Sequence, residues 1–128
     1  MIDGLILFFE PLVLNLDHFW GLLFLLVFGH CLADYALQSP EMQHAKNSTK
    51  NPKEIWIPVL FAHSMIHAGI VYLITFKLGL AIYQLVVHFI IDDLKCRGKL
   101  TDGRFPFAKD QFLHILDVTV IAVLFYVM

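Results

Sequence analysis

Histidine and aspartate recur through this chain in pairs four residues apart. His30 is followed by Asp34, His63 by His67, His88 by Asp92, and Asp110 by His114. On a helix that spacing puts both side chains on one face, one turn apart. Gln38, Lys95 and Asp117 extend the first, third and fourth stripes by a further turn, and Asp93 stands beside Asp92. Neutral imidazole and carboxylate are the usual ligands of zinc, manganese and ferrous iron. The same groups relay protons or hydrogen-bond helices together inside membranes. Any one such pair is a common pattern. His63 and His67 do not make the HExxH of a zinc protease, because Ser64 stands where the general base would be.

The elements that must position these pairs are membrane helices. The chain has 128 residues, 59% of them hydrophobic and only 16% charged, with a mean hydropathy of +0.72. A soluble domain this small cannot hide so much apolar surface in one core. Four stretches are long and apolar enough to span a bilayer, at about 18–37, 55–76, 79–94 and 110–128. Pro58 is expected in the first turn of the second span, where a missing amide proton does least harm. The expected fold is therefore all-α, a polytopic transmembrane four-helix bundle forming a single domain over 1–128. The first 16 residues lack a basic leader region and are interrupted by Glu10-Pro11. They are expected to form a short interfacial helix rather than a signal peptide or a span.

Charge placement orients the bundle. The segments 38–54 and 95–109 carry eight of the nine Lys and Arg residues. With four spans both segments lie on one side, and the positive-inside rule makes that side cytoplasmic and puts the termini outside. The pairs then share a depth. His30 lies eight residues before the first basic loop and His63 a similar distance after it, each about 12 Å along a helix. His88 and His114 lie about 7–10 Å from the second loop. All four pairs fall in the cytoplasmic half of the membrane.

Ionisable groups at that depth cost roughly 2.5–3.5 kcal/mol each, and persist where they face a bundle interior and satisfy one another. Three readings compete: polar glue, a proton or ion pathway, and a metal site. Eight groups exceed what four helices need as glue. Paired ligands on facing helices are a known way to build a dinuclear centre. The metal reading is preferred, with His30, Asp34, His63, His67, His88, Asp92, Asp110 and His114 as ligands. One or two divalent ions are expected, zinc first, with manganese or iron as alternatives. Cys31 and Cys96 form no CxxC, too few for a disulfide framework, and are read as reduced.

The motifs also carry a resemblance. Gly29-His30-Cys31-Leu32-Ala33-Asp34-Tyr35-Ala36-Leu37-Gln38, His63-xxx-His67, His88-xxx-Asp92-xx-Lys95 and Asp110-Gln111-xx-His114 resemble the bacterial and phage membrane proteins grouped as domain of unknown function 3307. The resemblance covers roughly 22–124. It implies an integral protein of the bacterial inner membrane and a lysine after the first motif, which Lys46 matches. It carries no activity. A looser likeness, to predicted membrane-bound metal-dependent hydrolases, is analogy alone.

The leading functional expectation is a metal-dependent hydrolase at the cytoplasmic leaflet. Asp93 or Asp117 would be the general base. Lys46, Lys95 and Arg97 would hold a phosphate, with Gln38 and Gln111 bonding ligands or substrate. Snorkelling at the interface is the plainer role for the three cations. The expected partners are the lipid bilayer and a lipid- or phosphate-containing substrate. Nucleic acid is not expected, and a homo-oligomer stays open. The alternative is no enzyme at all: a metal or proton carrier, or a metal-stabilised membrane module acting through a partner.

Overall fold

The computed structural model describes residues 19–100 and 103–128. The expected interfacial segment 1–16 lies outside the described residues. The described residues form helices and no strand. Helix α1 spans Phe19–Cys31 and continues as a π turn over Leu32–Ala36. Next come a short helix α2 (Pro40–Ala45), α3 (Lys53–Thr75), α4 (Leu78–Cys96) and α5 (Pro106–Val127).

Local signals account for several boundaries. Ser39 caps α2 by accepting the Met42 amide proton at 3.1 Å, with Pro40 in the first turn behind it. This short helix lies within the basic segment 38–54. Helix α3 starts at Lys53, earlier than the expected span, because Pro52 takes the N-cap. Pro58 therefore falls in the second turn, not the first as expected, and leaves the Glu54 carbonyl without its helical amide. Pro106 opens α5 in its first turn. The α3–α4 link is two residues long, with Phe76 in the left-handed region at φ 52°.

The four long helices close a ring of contacts: α1 on α3 and α5, and α4 on α3 and α5, with α2 packed on α3. Gly29 lets α1 approach α3, because a Cβ there would overlap Cγ2 of Ile70. The outer faces stay apolar, with Phe24, Phe61, Leu73, Val86 and Phe112 all exposed. That is the pattern of helices solvated by lipid rather than by water. Three of the helices are long and apolar enough to cross a membrane: Phe19–Ala36, α3 and α5. Helix α4 differs because Asp92, Asp93 and Lys95 sit within its last five residues.

The interior divides in two along its length. Near the α3–α4 link, Leu22, Leu26, Val71, Ile74, Leu80, Val118, Ile121 and Ala122 form a dry core. The half nearer the long loops is polar, with His30, His63, His88, Asp92, Asp110 and His114 all buried.

Candidate metal centre

All four i, i+4 pairs turn inward and meet. Five imidazoles form one continuous packed array. His67 and His88 stack at 3.6 Å between ring centroids, His88 and His114 at 4.6 Å. His30 lies 5.0 Å from His114 and 5.4 Å from His67, and His63 lies 4.8 Å from His67. The stripes predicted from spacing do this because each helix keeps its 3.6-residue period through the cluster. The exception is at Asp34, where the backbone widens. The Leu37 amide bonds the Leu32 carbonyl at 3.0 Å across five residues, and the Asp34 carbonyl is taken by the Gln38 side-chain amide at 3.1 Å. A π turn of this kind carries one extra residue per turn and is frequent at functional sites.

Among the described residues, three sets of ligand-capable atoms arise, each with its atoms within 4.8 Å of one another: Asp34, His63, His67 and His88; His30, His88 and His114; and Asp92, Asp110 and His114. Every one of the eight residues expected as ligands is in at least one set. A tetrahedral zinc site has ligand atoms roughly 3.3 Å apart, given metal–ligand bonds near 2.0–2.1 Å. The sets are compact enough for small side-chain adjustments to close around an ion.

The first set has the fullest complement. Asp34 Oδ1 lies 3.0 Å from His67 Nε2 and 3.2 Å from His63 Nε2, and its Oδ2 lies 3.4 Å from His30. The Asp34 side chain is 10% exposed and its ion-pair partners are all imidazoles. His63, His88 and His114 are at most 1% exposed; their Nε2 atoms face carboxylate oxygens at 3.2, 3.6 and 3.4 Å without aligned hydrogen bonds, and their Nδ1 atoms have no hydrogen-bond partner among the described residues. Leaving a buried polar atom unpaired costs about 1–3 kcal/mol. Each neutral imidazole has one lone pair to give, so these three rings fit a group that takes lone pairs, as a cation does.

Asp92 and Asp110 are arranged differently from Asp34. The Lys46 ammonium donates to Asp92 Oδ2 at 2.5 Å, and Lys95 donates to Asp110 Oδ2 at 2.6 Å. Each carboxylate turns its other oxygen toward His114 Nε2, at 3.4 and 3.5 Å. Gln111 bridges the cluster, lying 3.4 Å from His30 Nε2 and donating to Asp110 Oδ2 at 3.2 Å. Lys46 is only 5% exposed. It was expected at the mouth of the site and is instead inserted into it, carried by the C-cap of α2.

The remaining expected residues separate. Asp93 is half-buried, pairs with Arg97 at 2.8 Å and is in none of the three ligand sets. Asp117 is buried one turn beyond His114, with Tyr83 and Gln84 of α4 as its polar neighbours. Gln84, at 1% exposure, was missed in the sequence, although it precedes His88 by the same four-residue step. Cys31 and Cys96 are free thiols outside the cluster, and His44 is exposed on α2.

Two cavities open onto the site from the loop end of the bundle. One, of about 400 Å³, reaches Asp34 and is lined by Gln38, Lys95 and Gln111, with Tyr35 and Phe107 at its side. The other, of about 280 Å³, reaches Asp92 and Lys46. Both are lined by Gln38, Gln43 and Lys95. At the opposite end the dry core closes the bundle.

The chain belongs to a family described as a protein of unknown function (DUF3307), which matches residues 22–128. No curated protein and no solved structure matches it.

Proposed function

We propose that this DUF3307 protein is a four-span membrane protein that holds a divalent metal in its His/Asp cluster, zinc being the preferred ion. The observation that carries the reading is the buried set of His63, His67 and His88 gathered with Asp34, a carboxylate whose ion-pair partners are all imidazoles. In this reading α4 is the remaining span, its charged end lying at the loop-side interface. The basic loops lie in the cytoplasm, so the cavities open to the cytoplasmic face.

The reaction class this arrangement supports best is hydrolysis of a lipid or phosphate ester at that face. When bound, a divalent ion would polarise the scissile group and acidify water. The protein's own part is positioning. Lys95, which lines both cavities, Gln38 and Gln111 supply donors for an ester or phosphate oxygen, and Tyr35 and Phe107 offer an apolar flank to an acyl or prenyl chain. Asp117 supplies a buried carboxyl one turn behind His114, toward the dry core. The carrier reading needs a path to both faces. Leu22, Leu26, Ile121 and Ala122, all at most 2% exposed, stand across that path.

Elemental analysis of detergent-purified protein tests the metal. Wild type is expected to retain zinc, and the His63→Ala/His88→Ala double variant to lose it. Zinc absent from the wild type after zinc loading, or unchanged in a folded double variant, refutes the reading. A hydrolysis screen on lipid phosphates and acyl esters then tests turnover. Metal bound without turnover on any of them leaves the metal centre and removes the hydrolase.

A further inference from the structure

The three carboxylates of the cluster are not neutralised alike. Asp34 meets only neutral-capable imidazoles, so its set of one aspartate and three histidines carries one negative charge. Asp92 and Asp110 bring two negative charges, and Lys46 and Lys95 bring two positive ones, which sum to zero. Each of these carboxylates gives Oδ2 to an ammonium and turns Oδ1 to His114. A divalent ion in the Asp34 set would leave a net charge of +1. The same ion in the Asp92, Asp110 and His114 set would leave +2, beside two ammonium groups. Charge buried without compensation is expensive, and here the difference falls on Asp92, Asp110 and His114, all at most 2% exposed.

Building on the metal reading above, we infer that Lys46 and Lys95 stand in for a second metal ion. The centre then holds one ion, on Asp34, His63, His67 and His88. The Asp92, Asp110 and His114 set is a metal position kept closed by two internal cations. Its geometry is that of a ligand set, and its occupant is the pair of lysine ammonium groups. Removing the lysines while keeping the carboxylates opens it.

The test is metal stoichiometry by mass spectrometry on detergent-purified full-length protein, loaded with zinc and desalted. Wild type is expected to hold one zinc per chain and the Lys46→Met/Lys95→Met variant two. Adding Asp110→Asn to that variant should return the count to one. Two ions in the wild type overturn the inference, and so does a single ion in a folded, monodisperse double variant. Asp110→Asn in the wild-type background covers the case in which the double variant does not fold. Lys95 is about a third exposed and can turn to solvent when its partner is lost. This variant should keep its one zinc, and loss of that zinc overturns the inference. No zinc in any variant, wild type included, refutes the metal reading itself.

Discussion

Two conservative substitutions in this cluster should shift stability in opposite directions. In Asp92→Asn, the Lys46 ammonium stays buried, 5% exposed, with its counter-charge gone. Breaking a buried pair from one side costs about 3–5 kcal/mol. In Asp34→Asn no lysine is orphaned. The change removes a carboxylate whose burial costs several kcal/mol. It gives up charge-assisted contacts to His63 and His67, each worth about 1.5–3 kcal/mol, while the amide oxygen keeps one acceptor. These contributions nearly cancel, so metal-free Asp34→Asn should be about as stable as wild type or up to about 2 kcal/mol more stable. Zinc reverses the order. Wild type should gain about 2.7 kcal/mol at a zinc concentration 100 times Kd. Asp34→Asn should lose most of that gain, because orienting partners of ligands alone are worth about 10–100-fold in affinity and Asp34 is proposed as a ligand itself. The assay is unfolding in mixed detergent micelles, with chelator and with zinc. The reasoning fails if Asp34→Asn is as damaging as Asp92→Asn in chelator, or if it keeps the full zinc gain.

Gly29→Ala should destabilise by about 1–3 kcal/mol, because its Cβ meets the branched, stiff side chain of Ile70. It should also lower zinc occupancy, since α1 carries His30 and Asp34. Gly69→Ala is the control, having nothing within 4 Å of its new Cβ. Arg97→Ala and Asp93→Asn break an exposed i, i+4 pair, so each should change stability by at most about 1 kcal/mol and leave zinc content untouched. For topology, Thr49→Cys and Val127→Cys are introduced singly in a Cys31→Ser/Cys96→Ser background. An impermeant thiol reagent applied outside spheroplasts should label the second and not the first; the reverse pattern inverts the proposed orientation.

Much of the site could be read from the sequence because a membrane helix leaves few choices. Backbone bonds must be satisfied within each helix, so the period holds, and residues four apart share a face. His30 with Asp34 and His88 with Asp92 follow from that alone, as does their common depth with His63 and His114. Lys46 shows the limit. Its charge and place after the first motif were visible, but a loop lysine has no period. Its insertion depends on the tertiary path of α2, so it read as a surface cation. The π turn at Asp34 left no mark in composition either: nothing in Leu32–Ala36 distinguishes a widened turn from a regular one. Asp93 shows a second limit. Adjacency to Asp92 suggested a shared role, but neighbouring residues on a helix point about 100° apart, and Asp93 pairs with Arg97.

In the proposed four-span topology, the two-residue link between α3 and α4 bears on how the protein is made. Thr75 ends one helix and Leu78 begins the next, so neither can cross a bilayer without drawing the other along. Helix α3 is strongly apolar over 23 residues, whereas α4 ends in two aspartates and a lysine. Entering as a hairpin, the stronger segment carries the weaker, and His63 and His67 arrive already opposite His88 and Asp92. Half of the cluster is thus assembled at the moment of insertion. What remains is docking: α1 against the hairpin through Gly29, and α5 closing the ring with Asp110 and His114. A polar centre that would be costly for any helix to bring in alone is completed from two halves, each already partly self-satisfied.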